Sequence, residues 1–398
     1  MKRRTQKSLS AMALLAGLLA LAPACYYKET RISGSGGVMI TTTGGTLGDV
    51  KLDSVAERKV DLPLDFTAGA AFRTELRAGD VEIVSAEDTA HVEVTISAAG
   101  RTKAEAEAVL TRFEPRTVAD ERGARFEVQG EALEIHEGNT TYRIEPHVKV
   151  RAHVPDGSQL AIETSSGNIA VDGEFRKTDL KTEYGSITVA SVQGQLDART
   201  SSGNIGIRST SGDRVRAETQ YGSVTCEDIR AESLVLSSSS GNITVHSSTG
   251  SLRANTEYGT IDLAECEGSV EATTSSGNIK LAGGRGESTS LRTEYGSIRC
   301  SSFTGSIRAV TSSGNVRLED VAASVDAKTS YGHIDCVIDA AFTGRIRART
   351  EYGHVTSGID IADRDQSKDE RSLRGRIGQG TSSLELEASS GNITIATK

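Results

Sequence analysis

The sequence predicts an all-β chain whose main body is a single-stranded parallel β-helix, a right-handed solenoid of 18–19 residues per turn, preceded by a small cap containing one helix. Three observations lead there. Glycines set in "SSGN" or "xYGx" stand at 167, 185, 203, 222, 241, 259, 277, 296, 314, 332, 353 and 391, spaced by 18 or 19 residues except for the last intervals of 21 and 38. Two residues after each comes Ile or Val without exception, from Ile169 to Ile393. Apolar residues alternate on both sides of the glycine, as in Leu196/Ala198 before Gly203 and Ile205/Ile207 after it, the period of a strand with one buried face. The six-residue apolar repeat of left-handed β-helices is absent, hence the right-handed expectation.

Taken in order, residues 1–24 form a signal peptide: Lys2, Arg3, Arg4 and Lys7 precede the apolar run "AMALLAGLLALAPA". Cys25 follows the small residues Ala22 and Ala24, so the cut resembles a bacterial lipobox and Cys25 is the candidate acylation site; soluble secretion is the alternative. Residues 25–67, opening on "YYKETRISGSGGVMITTTGG", read as a flexible Gly/Ser/Thr-rich tether. Residues 68–158 read as the β-rich cap. There "LRAGDVEI" places Gly79, Val81 and Ile83 as in a repeat, and "HVEVTIS" and "HVKVRAHV" alternate cleanly. Between them "TKAEAEAVLTRF" predicts a helix over 102–113, with a Thr102/Glu105 capping box, an apolar face of Ala106, Val109, Leu110 and Phe113, and Pro115 as its stop. His147 and His153 fall on an outward face with Lys149 and Arg151 and read as solvated surface, not as metal ligands.

Residues 159–398 carry the β-helix. Its anchor glycines are expected to turn a corner at positive φ, which glycine alone tolerates cheaply. The residue before each anchor alternates Ser166, Tyr184, Ser202, Tyr221, Ser240, Tyr258, Ser276, Tyr295, Ser313, Tyr331. With rungs about 4.8 Å apart, a ring on every rung would crowd, so alternation is first a packing solution and only second an aromatic ligand strip. Cys226, Cys300 and Cys336 share one inward slot on non-neighbouring rungs and Cys266 lies outside it, so no disulfide is expected. The alternation breaks once: "SYGHID" and "EYGHVT" are consecutive Tyr-Gly turns, which would set His333 beside His354 and Tyr331 beside Tyr352. These four residues are the candidate ligand contact, for a weakly held transition metal or an acidic glycan, against a simple lost Ser-type turn. A mixed-charge insertion at about 362–376 interrupts the repeat, and "LELEASSGNITI" supplies a last rung.

The formal charge of −9 falls to −13 without the four basic leader residues, and an acidic exported chain is a poor partner for nucleic acid, whose phosphates need a basic patch. No phosphate loop, EF-hand, nucleophile elbow or other catalytic motif occurs, and no cofactor is expected.

The "TSSGNI" runs at 164–169, 200–205 and 274–279, the "TEYGSI" runs at 182–187 and 293–298, and "HVPDGSQLAIETSSGNIAV" at 153–171 resemble the bacterial "putative adhesin" β-strand-repeat family of unknown function, related to head-GIN-type domains. The resemblance spans residues 68–398. It implies a β-helical fold and an envelope location, and brings no catalytic residues. The function expected is that of a non-enzymatic, adhesin-like lipoprotein, a binding or structural rod held to the membrane by its lipid and meeting a surface protein or glycan. Outer-membrane anchorage is expected, with a soluble periplasmic or secreted form as the alternative. Two other classes stand beside this: a polysaccharide-acting β-helix enzyme, for which turns of 18–19 residues leave few loops to build a cleft, and a self-assembling envelope scaffold.

Overall fold

The computed structural model describes residues 27–32, 38–43, 54–67, 69–86, 89–137 and 140–398; the leader and Cys25 lie outside them. The chain divides into two compact units.

The smaller unit takes residues up to Arg58 together with Ile96–Phe113 and Gly130–His147. Tyr27–Ile32, Val38–Thr43, Thr140–Glu145 and Leu133–Glu137 form an antiparallel sheet in that order. Ser54–Pro63 is a further strand. The expected tether over 25–67 is therefore corrected to a strand-bearing segment. "VMITTT" is rich in β-branched residues, which favour a pleated backbone, and its Gly-rich flanks hid that signal. The helix covers Lys103–Leu110, burying Ala106, Val109 and Leu110, and the Glu105 amide donates to Thr102 Oγ1 at 3.2 Å. It stops earlier than 113 because the Arg112 amide closes a tighter turn onto the Val109 carbonyl. Phe113 instead opens the strand Phe113–Asp120, within which Pro115 is buried.

The larger unit, Lys59–Thr95, Glu114–Gln129 and Val148–Lys398, is the solenoid. Strands of equal phase pair in parallel and in register: Ile169 lies on Ile187, that on Ile205, then Val224, Ile243, Ile261, Ile279, Ile298, Val316 and Ile334. Numbered from the anchor glycine, the core consists of columns at −7, −5, −3, +2, +4 and +7, shown by buried Leu196, Ala198, Thr200, Ile205, Ile207 and Thr210 around Gly203. Cys226, Cys300 and Cys336 occupy the +4 column between aliphatic neighbours, Ile207 and Val245, Leu281 and Leu318, and Leu318 and Ile395. Cys266 sits in the +7 column.

The −3 column is polar and fully internal. Thr182, Thr200, Thr219, Ser238, Thr256, Thr274, Thr293, Thr311 and Thr329 each donate a hydroxyl hydrogen bond of 2.8–3.0 Å to the carbonyl of the anchor glycine one rung below. Several of these hydroxyls also accept the amide of their own anchor, as Thr256 does from Gly259 at 3.3 Å. Both polar groups of the corner are thereby satisfied inside the coil.

The positive φ expected at the anchors occurs at Gly167, Gly314, Gly353 and Gly391, between 147° and 157°, but not at the other eight. Gly185, Gly203, Gly222, Gly241, Gly259, Gly277, Gly296 and Gly332 are not in the left-handed region. A Cβ on any of them would fall well inside 3.0 Å of the carbonyl oxygen of the preceding anchor, so the demand is for backbone clearance. Left-handed residues appear six positions later instead, at Ser191, Ser209, Asp228, Ser247, Glu265, Ser302 and Asp320, with φ between 45° and 61°. That second corner was not visible as a glycine column.

Both ends of the solenoid depart from chain order. Ser382–Ser390 pairs with Val325–Tyr331 on one side and Gly344–Tyr352 on the other, while Ile393–Thr397 pairs with Ile334–Ile338 and Val355–Ser357. The last rung in sequence is thus inserted before the outermost one, giving the spatial order Gly332, Gly391, Gly353. The three extra residues between anchors 332 and 353 let the chain step over a level. At the start, Ala71–Ser85 pairs with 159–172 on one side and with 123–126 and 148–154 on the other, so residues of the expected 68–158 cap are rungs of the solenoid. The charged insertion forms the strands Ala362–Gln366 and Ser372–Ile377, and the latter pairs antiparallel on 344–349. These antiparallel pairs interrupt the parallel order at this end, and the outermost edge there is covered.

Two measurements test this packing. Thr256→Val keeps shape but leaves the Gly241 carbonyl and Gly259 amide unpaired, and should lower urea-unfolding stability by about 1–3 kcal/mol, whereas Thr244→Val on the exposed face should change it by less than about 0.5 kcal/mol. Burial pushes the thiols of Cys226, Cys300 and Cys336 up to about 12 and raises Cys266, so none should react with a maleimide at pH 8 until denaturant is added, as read by peptide mapping.

Candidate functional surface

Strand parity buries the −7, −5 and −3 columns, but it breaks at the corner that follows, so the −1 position faces outward. Tyr184, Tyr221, Tyr258, Tyr295, Tyr331 and Tyr352 all stand there, between 54% and 71% exposed. These rings do not pack into the coil. Parallel pairing sets Tyr295 on Ser313, Ser313 on Tyr331, Tyr331 on Ser390 and Ser390 on Tyr352. The inserted rung therefore restores the alternation, which runs without a break from Ser166 to Tyr352. Successive rings are two rungs apart, about 9–10 Å.

The residues flanking this stripe set its electrostatics. Glu183, Glu257, Glu294 and Glu351 each precede a tyrosine and are exposed. On the other side of the glycine runs an amide ladder. Asn168, Asn204, Asn242, Asn278 and Asn315 each accept through Oδ1 the amide of the next rung, from Ser186, Ser223, Thr260, Ser297 and His333, at 2.8–2.9 Å. The stripe is thus aromatic, lined by carboxylates along one side and by a rigid polar ladder along the other. Such a surface stacks against flat or ring-shaped apolar faces and accepts hydrogen bonds, and it repels anions.

The expected contact between His333 and His354 is corrected. The Gly391 rung lies between them, so Tyr331 does not neighbour Tyr352 and the two imidazoles stand two rungs apart. His333 replaces the serine of the ladder: its Nδ1 accepts the Asn392 amide at 3.0 Å, and the His354 amide donates to Asn392 Oδ1 at 3.0 Å. His354 Nδ1 lies 3.7 Å from Glu370 Oε2. Both histidines belong to the ladder and its flank.

Two other polar places lie in the solenoid unit. A groove of about 510 Å³ is lined by Arg73, Glu163, Asp179, Lys181, Asp197 and Arg199 among others. Burial raises the Asp197 carboxyl above its ordinary range, with Arg199 opposing. Three acids there have a cation: Arg199 on Asp197 and Lys181 on Glu163, both at 2.5 Å, and Lys177 at 3.7 Å from Asp179. Lys181 and Glu163 pair across strands, and the other two pairs lie within one strand, two residues apart. Elsewhere, His153 shares the outward face with Lys149 and Arg151 as expected, but it is half-buried, and its ring stacks on that of His91, centroids 4.1 Å apart and planes inclined by 8°.

The six-tyrosine stripe was legible in the sequence; its completeness at the last three rungs was not. Sequence reading also missed the internal hydroxyl column, whose signal is the Thr or Ser at −3 in nearly every turn, and the His91/His153 pair, for which no local signal exists.

The profile of the family described as Toastrack DUF4097 matches residues 75–282 and 266–396. Among solved structures, a "putative lipid binding protein" from Parabacteroides distasonis ATCC 8503 is 16% identical over 70% of this chain and 94% of that one, with a TM-score of 0.31. A "putative adhesin" from Parabacteroides merdae ATCC 43184 is 14% identical over 70% and 94%, with a TM-score of 0.28. A "putative cell adhesion protein" from Clostridium sporogenes ATCC 15579 is 8% identical over 86% and 100%, with a TM-score of 0.17. At such identities and scores no property passes from them to this chain. No curated protein matches it. The family match covers the repeats and the rung that precedes them, and on it the chain belongs to the Toastrack DUF4097 family.

Proposed function

We propose that this protein is a non-enzymatic, adhesin-like rod of the bacterial cell envelope, coiled in the right-handed sense and tethered by acylated Cys25, whose tyrosine stripe binds an extended neutral glycan. The observation that carries the reading is the exposure of six tyrosines on one column at a constant two-rung interval. Aromatic faces at a fixed pitch suit a polymer whose sugar faces recur at a fixed pitch, and a β-linked disaccharide unit is close to two rungs in length. The neighbouring carboxylates and the negative charge of the chain favour an uncharged partner over an acidic one. Affinity of this kind is cumulative, since each ring adds a small stacking contribution along one chain. Export and a lipid anchor would place the stripe where such polymers occur.

Two experiments bear on it. Replacing Tyr221, Tyr258, Tyr295 and Tyr331 together by Ser should abolish retention in affinity gels containing β-1,4-linked glucan, while each single change alters unfolding stability by no more than about 0.5 kcal/mol because the rings are exposed. Equal retention of wild type and the quadruple variant would refute the stripe as a ligand surface. Mass spectrometry of the mature N-terminus should find a diacylglycerol on Cys25; an unmodified residue there would leave a secreted form.

A further inference from the structure

His91 and Glu93 lie two residues apart on the strand His91–Gly100, hence on one face of the sheet, and His153 comes from the paired strand His147–Val154. Both imidazole Nε2 atoms stand 3.8 Å from Glu93 Oε1, and the three ligand atoms all lie within 4.8 Å of one another. We propose that His91, Glu93 and His153 bind a zinc ion, with a fourth position left to water or an external ligand.

Four features separate this cluster from an ordinary surface pair. His91 Nδ1 is 3.0 Å from the Thr89 carbonyl, which can only accept, so that nitrogen carries the proton and Nε2 keeps its lone pair. An outer hydrogen bond of this type is what orients metal-binding imidazoles. His153 Nε2 is buried and has no hydrogen-bond partner, a position that a cation would satisfy. Burial and the neighbouring His91 hold His153 below its ordinary range, which favours the lone-pair form that ligates. Two imidazoles and one carboxylate form a donor set suited to zinc with an open site.

The distances are close to those required. Tetrahedral zinc with bonds of about 2.0–2.1 Å sets its ligand atoms roughly 3.4 Å apart, so each His–Glu gap must close by about 0.4 Å. The stacked rings must also splay, so that each lone pair points at one ion. Both movements are side-chain rotations at the sheet surface. Glu82, 3.8 Å from Arg151 Nε, engages the nearest cation on the same strand.

The test is calorimetric titration of the tag-free chain with zinc chloride after chelator treatment, and cobalt absorption of the same protein. Wild type should take up one ion, and cobalt should give the intense visible bands of a four-coordinate site. His91→Ala and His153→Ala should each weaken binding by at least about 100-fold, and Glu93→Gln by about 10-fold or more, with His333→Ala unchanged. Circular dichroism of each variant identifies any that fails to fold, and for such a variant the cobalt spectrum of wild type stands as the deciding measurement. Absence of saturable binding by wild type, a six-coordinate cobalt spectrum, or equal affinities in wild type and folded His91→Ala and His153→Ala would overturn the assignment.

Discussion

At one corner of every turn the backbones of neighbouring rungs meet with no room for a side chain between them. This contact sets the rest of the structure. It forces glycine at the anchor, since any Cβ there would collide with the carbonyl of the preceding anchor. It also brings that carbonyl within reach of the internal threonine hydroxyl of the next turn, three residues before that turn's own anchor, which pairs it where water cannot. A buried polar column at the heart of an aliphatic core thus acts as a register lock. A slip by one residue would bring the apolar set out of the core and leave both hydroxyl and carbonyl without partners.

The ends obey a different constraint. A solenoid rung is stable when it has a neighbour on both faces, and the outermost rung has only one. In the larger unit the first and last rungs of the sequence, 71–85 and 382–397, are not outermost; each is held between two others. The antiparallel strand Ser372–Ile377 covers the edge that the Gly353 rung would otherwise present. That covering weighs against end-to-end assembly through this edge, since its backbone groups are already paired. The inserted rung also keeps the outer tyrosines two levels apart, so the same rearrangement that protects the end preserves the pitch of the stripe.

Placement by phase explains why the surface features are so regular. A residue type repeated at one phase becomes a column, and the column inherits the rung spacing as its pitch. Tyrosine at −1, asparagine or serine at +1 and the left-handed corner at +6 are three readings of one rule. The histidine cluster arises differently: it depends on two strands brought together near the beginning of the unit, and no repeat generates it.

The sequence by itself determined the solenoid, its turn length, its inward +2 and +4 columns and its tyrosine stripe, because each is a strict function of distance from a glycine along the chain. Only the tertiary structure decided which turns are neighbours. Chain order predicted His333 against His354; pairing placed Ser390–Gly391–Asn392 between them, because a strand chooses the edge that satisfies its backbone, wherever in the sequence that edge occurs. The same limit hid the strand role of residues 38–43, whose partner Thr140–Glu145 lies about a hundred positions away, and the meeting of His91 with His153. Local periodicity specifies what a segment wants to bury and where it turns. Long-range pairing, which no local pattern encodes, assigns its neighbours.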